Sequence, residues 1–127
     1  MKRRYTTEQQ SENLIRLGVD VSTADMRYTV FDNNIPWVWD GKVLEKGAIP
    51  CWSESALMAL LPTTDKRDED YVSVESHCDY HEVSYMNCWD GKKKVTSSTE
   101  CLFDALYEMV CWKFEREKTR REIVKIN

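Results

Sequence analysis

The strongest predicted element of this sequence is a C-terminal helix, and it constrains the fold more than any other feature. Between residues 99 and 118, apolar side chains recur at helical spacing, at Leu102, Phe103, Leu106, Met109, Val110 and Phe114. Ser98 or Thr99 is predicted to cap its first turn. A helix that is apolar over so wide an arc must be covered by a sheet or by a second chain.

The residues before this helix are predicted to form a sheet that covers it. Residues 71–76 alternate apolar and polar side chains, which is typical of a half-buried strand. Two further strands are predicted over 80–89 and 92–96, joined by an Asp90-Gly91 turn. Val83 and Tyr85 fall on one face of the middle strand, so we expect an antiparallel meander of three strands.

Two shorter helices are predicted in the N-terminal half. Over residues 7–17, Thr7 and Gln10 have the spacing of a capping box, and Gly18 follows where a C′ residue belongs. Over residues 53–61, Ser53 is the predicted N-cap.

The segment between these helices predicts short strands and turns. We expect a tight or helical turn around Ser22 and Asp25, then a strand over 28–31. A hairpin is expected between 37–39 and 42–44, about the dipeptide Asp40-Gly41.

Together these elements predict an α+β protein, with about three helices packed on a small antiparallel sheet of hairpins. Its length of 127 residues suits a single domain. Residues 1–5 and 119–127 are expected to form flexible basic ends.

Charge is distributed unevenly. Residues 1–4 and residues 113–127 each carry +3, so a net charge of −4 leaves −10 on the segment between them. An acidic body repels phosphate, which disfavours broad nucleic-acid binding. The basic ends keep open the alternative of a nucleic-acid-associated accessory factor.

Cysteine usage and the N-terminus indicate a cytoplasmic protein. Five cysteines are an odd number without tight spacing, unlike a secreted disulfide scaffold. Polar residues follow the basic N-terminus where a signal peptide would be apolar, and we expect no membrane association. The four glycines are isolated, so no phosphate-binding loop and no cofactor are predicted.

Residues of metal-binding type cluster at one place only. His77, Cys78, His81 and Cys88 are zinc-ligand types, although their spacing is not a usual zinc signature. If the segment is a hairpin, His77 and His81 flank its turn. The alternative interpretation is an exposed polar hairpin tip without a metal, with Cys88 buried on a strand.

A cysteine nucleophile is the other enzymatic hypothesis. Cys51 and Cys101 lie near predicted helix starts, where a thiol pKa is lowered. Buried packing is the alternative for both thiols.

Aromatic residues are the main candidates for an interaction surface. The chain has five tryptophans, more than a domain of this size hides easily. Core packing is one use of such residues, and anchoring a partner is the other. The candidate surface residues are Trp37, Trp39, Trp52, Trp112 and Phe114.

Three blocks, in order, carry a resemblance to a known group. They are Leu14 to Asp20 running into Thr23 to Met26, the block Ile49 to Leu57 through Leu61-Pro62, and Ala105 to Trp112. In this order they resemble a group of small uncharacterised proteins of Bacteroides-type gut bacteria, often encoded within prophages and mobile elements. The sequence departs from that pattern at Val21 and Glu54. The resemblance implies a cytosolic accessory protein and brings no activity with it.

These observations favour a non-enzymatic protein-interaction or accessory module of phage or mobile-element origin, with a protein partner or self-association. A nucleic-acid-associated factor and a small Cys- or metal-dependent enzyme remain alternatives.

Overall fold

The computed structural model describes residues 4–29, 35–40, 43–44, 46–61, 70–87, 93–99 and 101–126. They form an α+β domain whose two three-stranded antiparallel sheets have the strand orders β2-β1-β3 and β4-β5-β6. The helices are α1 (Glu8–Arg16), α2 (Glu54–Ala59) and α3 (Leu102–Ile126), and a 3₁₀ turn spans Val21–Thr23. The strands are β1 (Met26–Tyr28), β2 (Trp37–Val38), β3 (Ile49–Cys51), β4 (Asp70–Ser76), β5 (His81–Asn87) and β6 (Lys93–Thr99). The predicted fold class is confirmed.

Helix α1 forms as its local sequence predicts. Thr7 Oγ1 accepts from the Gln10 N–H at 3.1 Å, and the Gln10 side chain accepts from the Thr7 N–H at 2.9 Å. This reciprocal pair satisfies two backbone donors at the helix start. Gly18 follows the helix with φ of 96°, a left-handed conformation that glycine adopts without steric cost. Leu14 is the apolar anchor of α1 and is fully buried.

The first sheet differs from its prediction in two ways. The strand expected over 28–31 is displaced to Met26–Tyr28, and residues 30–31 lie outside the described part of the chain. The first arm of the predicted hairpin is the strand Trp37–Val38, and this strand pairs antiparallel with β1. Residues 43–44 are described and are not in a strand, whereas 41–42 are not described.

The turn before β1 is a 3₁₀ turn, which is the helical one of the two forms, tight or helical, that the sequence predicts. Its cap is Asp20, whose carboxylate accepts from the Ser22 N–H at 2.9 Å. Asp25 acts across the fold: it accepts from the Ser53 N–H at 2.9 Å and from the Ser53 hydroxyl. Asp25 therefore fixes the N-cap of α2.

Both ends of α2 are tied to other elements. At its start, Ser53 Oγ accepts from the Ala56 N–H at 3.2 Å, which confirms the predicted cap. At its end, the Lys113 amine donates to the Leu60 carbonyl, and the Tyr85 hydroxyl donates to the Leu61 carbonyl at 2.7 Å. Leu60 and Leu61 follow directly after Ala59, the last residue of α2, and α3 and β5 supply one donor to each of their carbonyls.

The second sheet confirms the predicted meander. Strands β4 and β5 pair from Asp70↔Asn87 to Ser76↔His81, and β5 pairs with β6 from His81↔Thr99 onward. Val83 and Tyr85 are buried on one face, against α3. The Asp90-Gly91 turn and Cys88 lie outside the described residues.

Helix α3 lies on this sheet and contacts α2 as well. It begins at Leu102, so Ser98 and Thr99 belong to β6 and the predicted caps are wrong. Thr99 still bonds the junction, because its hydroxyl accepts from the Cys101 N–H at 3.2 Å. The core joins α3 to α2 and to the second sheet, and its fully buried side chains include Trp52, Leu57, Val83, Phe103 and Leu106.

The described part of each chain end is joined to a regular element of the fold. The Arg4 carbonyl accepts from the Glu54 N–H at 3.1 Å, and Tyr5 forms a β-bridge with Ser53. Helix α3 continues to Ile126. Residues 1–3 and 127 lie outside the described part.

Candidate functional site

The exposed apolar side chains of the first sheet collect at strand β2. Val38 is 85% exposed and Trp37 is 60% exposed, although successive residues of a strand point to opposite faces. Ile35 and Val43 flank the strand and are also largely exposed. We call Ile35, Trp37, Val38 and Val43 the β2 patch.

Strand β2 is one edge of its sheet, and the other edge is covered. Beyond β3, the Thr6 N–H donates to the Trp52 carbonyl at 2.9 Å, so residues 4–6 close that side. No described residue pairs with β2 on the side away from β1. The edge of β2 that none of these residues pairs therefore coincides with the β2 patch.

Trp39 determines which backbone groups of β2 point outward. Its N–H donates to the Asp25 carbonyl at 3.0 Å, and its indole N–H donates to the Val43 carbonyl at 3.0 Å. In an antiparallel pair, alternate residues direct their N–H and C=O to the same neighbour. Since Trp39 bonds toward β1, the N–H and C=O of Val38 point to the open edge.

The structure divides the five aromatic candidates. Trp37 is exposed, as an interaction surface requires. The prediction is wrong for Trp39 and Trp52, because both are buried in the core, and the Trp52 indole donates to Thr23 Oγ1 at 3.0 Å. Trp112 and Phe114 are half-buried on α3, where the Trp112 ring lies 5.3 Å from that of Tyr85 and 5.4 Å from the Arg116 guanidinium.

Sequence reasoning missed Ile35, Val38 and Val43. A signal was present, because residues 37–39 are consecutive apolar residues. Such a run places apolar side chains on both faces of a strand, and a small sheet buries one face.

The hairpin between β4 and β5 separates the predicted metal ligands. Ser76 pairs with His81, and the His81 Nδ1 atom lies 3.0 Å from Ser76 Oγ. His77 is one position further along and so faces the opposite side of the sheet. Cys78 is exposed in the turn, and Cys88 lies outside the described residues. The described members of the predicted set therefore do not converge.

His77 converges with two glutamates instead. Glu75 and Glu82 are directly opposed across the two strands. One ligand atom from each of Glu75, His77 and Glu82 lies within 4.8 Å of the others. Residues 75 and 77 share a face because strand side chains repeat with period two, and this signal was readable in the sequence.

A lysine already neutralises part of this cluster. Lys93 Nζ donates to Glu82 Oε2 at 2.8 Å. That hydrogen bond holds the pKa of the Glu82 carboxyl below its usual value and raises the pKa of the Lys93 amine.

The thiols proposed as nucleophiles have the character of packed residues. Cys51 is fully buried, and its thiol donates to the Thr6 carbonyl at 3.3 Å. Burial raises the pKa of Cys51, whereas a nucleophile needs a lowered one. Cys101 is half-buried between β6 and α3.

An open groove of about 560 Å³ lies between α1 and α3, lined by Asn13, Arg16 and Tyr107 among others. Asn13 Nδ2 donates to the Tyr107 hydroxyl at 2.9 Å, and the Arg16 guanidinium donates to Asn13 Oδ1. Burial raises the pKa of Tyr107 to about 12, so the phenol stays protonated near neutral pH. The groove's central polar groups bond to one another, and this arrangement indicates a structural contact between the helices.

Comparison of the chain with family models, with curated proteins and with solved structures finds no match. Among the described helices, none combines the length and apolar character that crossing a bilayer requires.

Proposed function

We propose that this chain is a non-enzymatic protein-interaction module that self-associates through the β2 patch. The observation that carries the proposal is the exposure of both Trp37 and Val38 on a strand that, within the described ranges, is paired only with β1. An accessory role of this kind agrees with the phage or mobile-element origin that the sequence resemblance implies.

The backbone of β2 suits strand addition. Edge strands present unpaired N–H and C=O groups that can pair with another chain. In β2 these groups belong to Val38, whose side chain has no charge to discourage pairing. Natural edges are often protected by lysine or proline, and Pro36, just before β2, has no N–H to offer there, so the outward pair of β2 groups comes from Val38.

A second copy of the chain is the partner that fits this edge best. Two copies of β2 related by a twofold axis at Val38 form one antiparallel pair that exchanges two hydrogen bonds. This register places Trp37 opposite residue 39 of the second copy. It also places Asp40 opposite Pro36, so the two acidic side chains are not opposed.

Two further features support the assignment. The buried, high-pKa thiol of Cys51 favours a packing role over catalysis. Cys51, Cys78, Cys101 and Cys111 are all free thiols, which suits the cytoplasm that we propose as the location.

Sedimentation velocity over a range of concentrations tests the proposal. We expect the wild type to form a dimer and Val38→Lys to weaken association at least about tenfold, because it adds a charge at the pairing edge. Val74→Lys is the matched control, since Val74 is an exposed valine on β4 of the other sheet. Far-UV circular dichroism checks that each variant is folded.

Each result bears on the proposal. A wild type that stays monomeric at millimolar concentration would overturn self-association. A folded Val38→Lys variant that dimerises as tightly as the wild type would place the interface elsewhere. Loss of the dimer in Val74→Lys alone would move it to the second sheet.

A further inference from the structure

We infer that Glu75, His77 and Glu82 form a binding site for a divalent transition metal, with zinc as the best fit. The site lies on the face of the second sheet that points away from α3 and is independent of the β2 patch. Its ligand atoms converge within 4.8 Å although no two of the three residues are adjacent in sequence.

The hairpin holds the three side chains in place. Strands β4 and β5 pair without interruption from Asp70↔Asn87 to Ser76↔His81, which fixes Glu75 opposite Glu82. The turn is closed by a hydrogen bond from the His77 N–H to the Tyr80 carbonyl at 2.8 Å. The His77 ring stacks on Tyr80 with centroids 4.3 Å apart and 13° between planes. This stacking orients the imidazole before any metal arrives.

The distance between two of the three ligand atoms suits a small tetrahedral ion, and the third lies within 4.8 Å of both. Two ligands at about 2.0–2.1 Å from zinc with a tetrahedral angle between them are about 3.4 Å apart. His77 Nε2 and Glu75 Oε2 are 3.4 Å apart. Glu82 supplies the third ligand, and a water completes the set in the manner of zinc sites with three protein ligands.

The donor set selects the class of metal. Imidazole nitrogen with carboxylate oxygen suits zinc and its neighbours, whereas magnesium and calcium prefer oxygen ligands alone. Two carboxylates and a neutral imidazole also match the charge of a divalent cation.

The Lys93 amine competes with a metal ion for the Glu82 carboxylate. This amine donates to Glu82 Oε2 at 2.8 Å, so a bound metal must displace the amine or take the other carboxylate oxygen. Removing the amine with Lys93→Met should therefore tighten metal binding severalfold, because Glu82 loses its competing cation.

The two histidines allow a decisive measurement, because the chain has no others. Full-length protein is titrated with zinc chloride at about pH 7.5, because metal affinity depends on pH and must be compared at one value. Binding is measured by competition with a chromophoric chelator, and the imidazole resonances are followed by NMR. We expect the His77 resonances to move with one equivalent of zinc while those of His81 do not.

Variants separate this site from the alternatives. His77→Gln should weaken binding at least tenfold, while His81→Gln, the matched control on the opposite face, should leave the affinity within twofold. Cys78→Ser should also leave it unchanged, since the Cys78 thiol is outside the cluster. Equal loss in His81→Gln or Cys78→Ser would overturn the assignment. So would unmoved His77 resonances at saturating zinc.

Discussion

Replacing Thr6 by valine tests the polar cluster that joins the N-terminal segment to the core. Thr6 is fully buried, and its hydroxyl accepts from the Trp52 N–H at 3.0 Å and lies 2.7 Å from Ser11 Oγ. Valine keeps nearly the same volume, so the substitution opens no cavity. It leaves two buried polar groups without this partner, each at a cost of about 1–3 kcal/mol.

The free energy of unfolding should therefore fall by about 2–6 kcal/mol, against a total of about 5–15 kcal/mol for a domain. Urea unfolding followed by circular dichroism and by tryptophan fluorescence measures this loss. Thr119→Val is the control, because Thr119 is exposed on α3 and its hydroxyl donates to the Glu115 carbonyl at 3.0 Å. The control should change stability by less than about 0.5 kcal/mol. A loss below about 0.5 kcal/mol in Thr6→Val, at unchanged urea dependence, would refute the reasoning.

Two further predictions concern the helices. Leu14→Ala should lower the free energy of unfolding in urea by about 2–5 kcal/mol, because Leu14 is fully buried. The control is Ile15→Ala, which should lower it by less than about 1 kcal/mol, because Ile15 is 40% exposed. Equal losses in the two variants would contradict the packing of α1. Burial holds the pKa of Lys113 below its ordinary value of 10.5. At pH values between the lowered pKa and 10.5, the unfolded chain binds more protons at Lys113 than the folded chain does. The free energy of unfolding of the wild type, relative to that of Lys113→Met, should therefore rise as pH rises through this window. A stability difference that stays flat or falls would contradict this reasoning.

The metal site and the β2 patch can be tested separately. Zinc binding at His77 does not require a dimer, and the β2 dimer does not require zinc. A chain that is monomeric but binds zinc would refute the proposed function alone.

The sequence by itself determined the elements that depend on near neighbours. The capping box of Thr7 and Gln10 and the Ser53 cap of α2 each join residues three positions apart, so their geometry follows from local spacing. Strand alternation likewise predicted the meander and the buried face of Val83 and Tyr85.

The tertiary structure decided everything that depends on distant residues. Trp37–Val38 pairs with β1 because Trp39 is buried and bonds to Asp25. The local Asp40-Gly41 turn signal gives no information about this pairing. Thr6 becomes a core residue only when Trp52, 46 positions away, meets it. The Glu75, His77 and Glu82 cluster likewise requires the register of two strands. The local sequence pattern determines which face of a helix or strand a side chain lies on. Long-range packing determines which residues that face contacts.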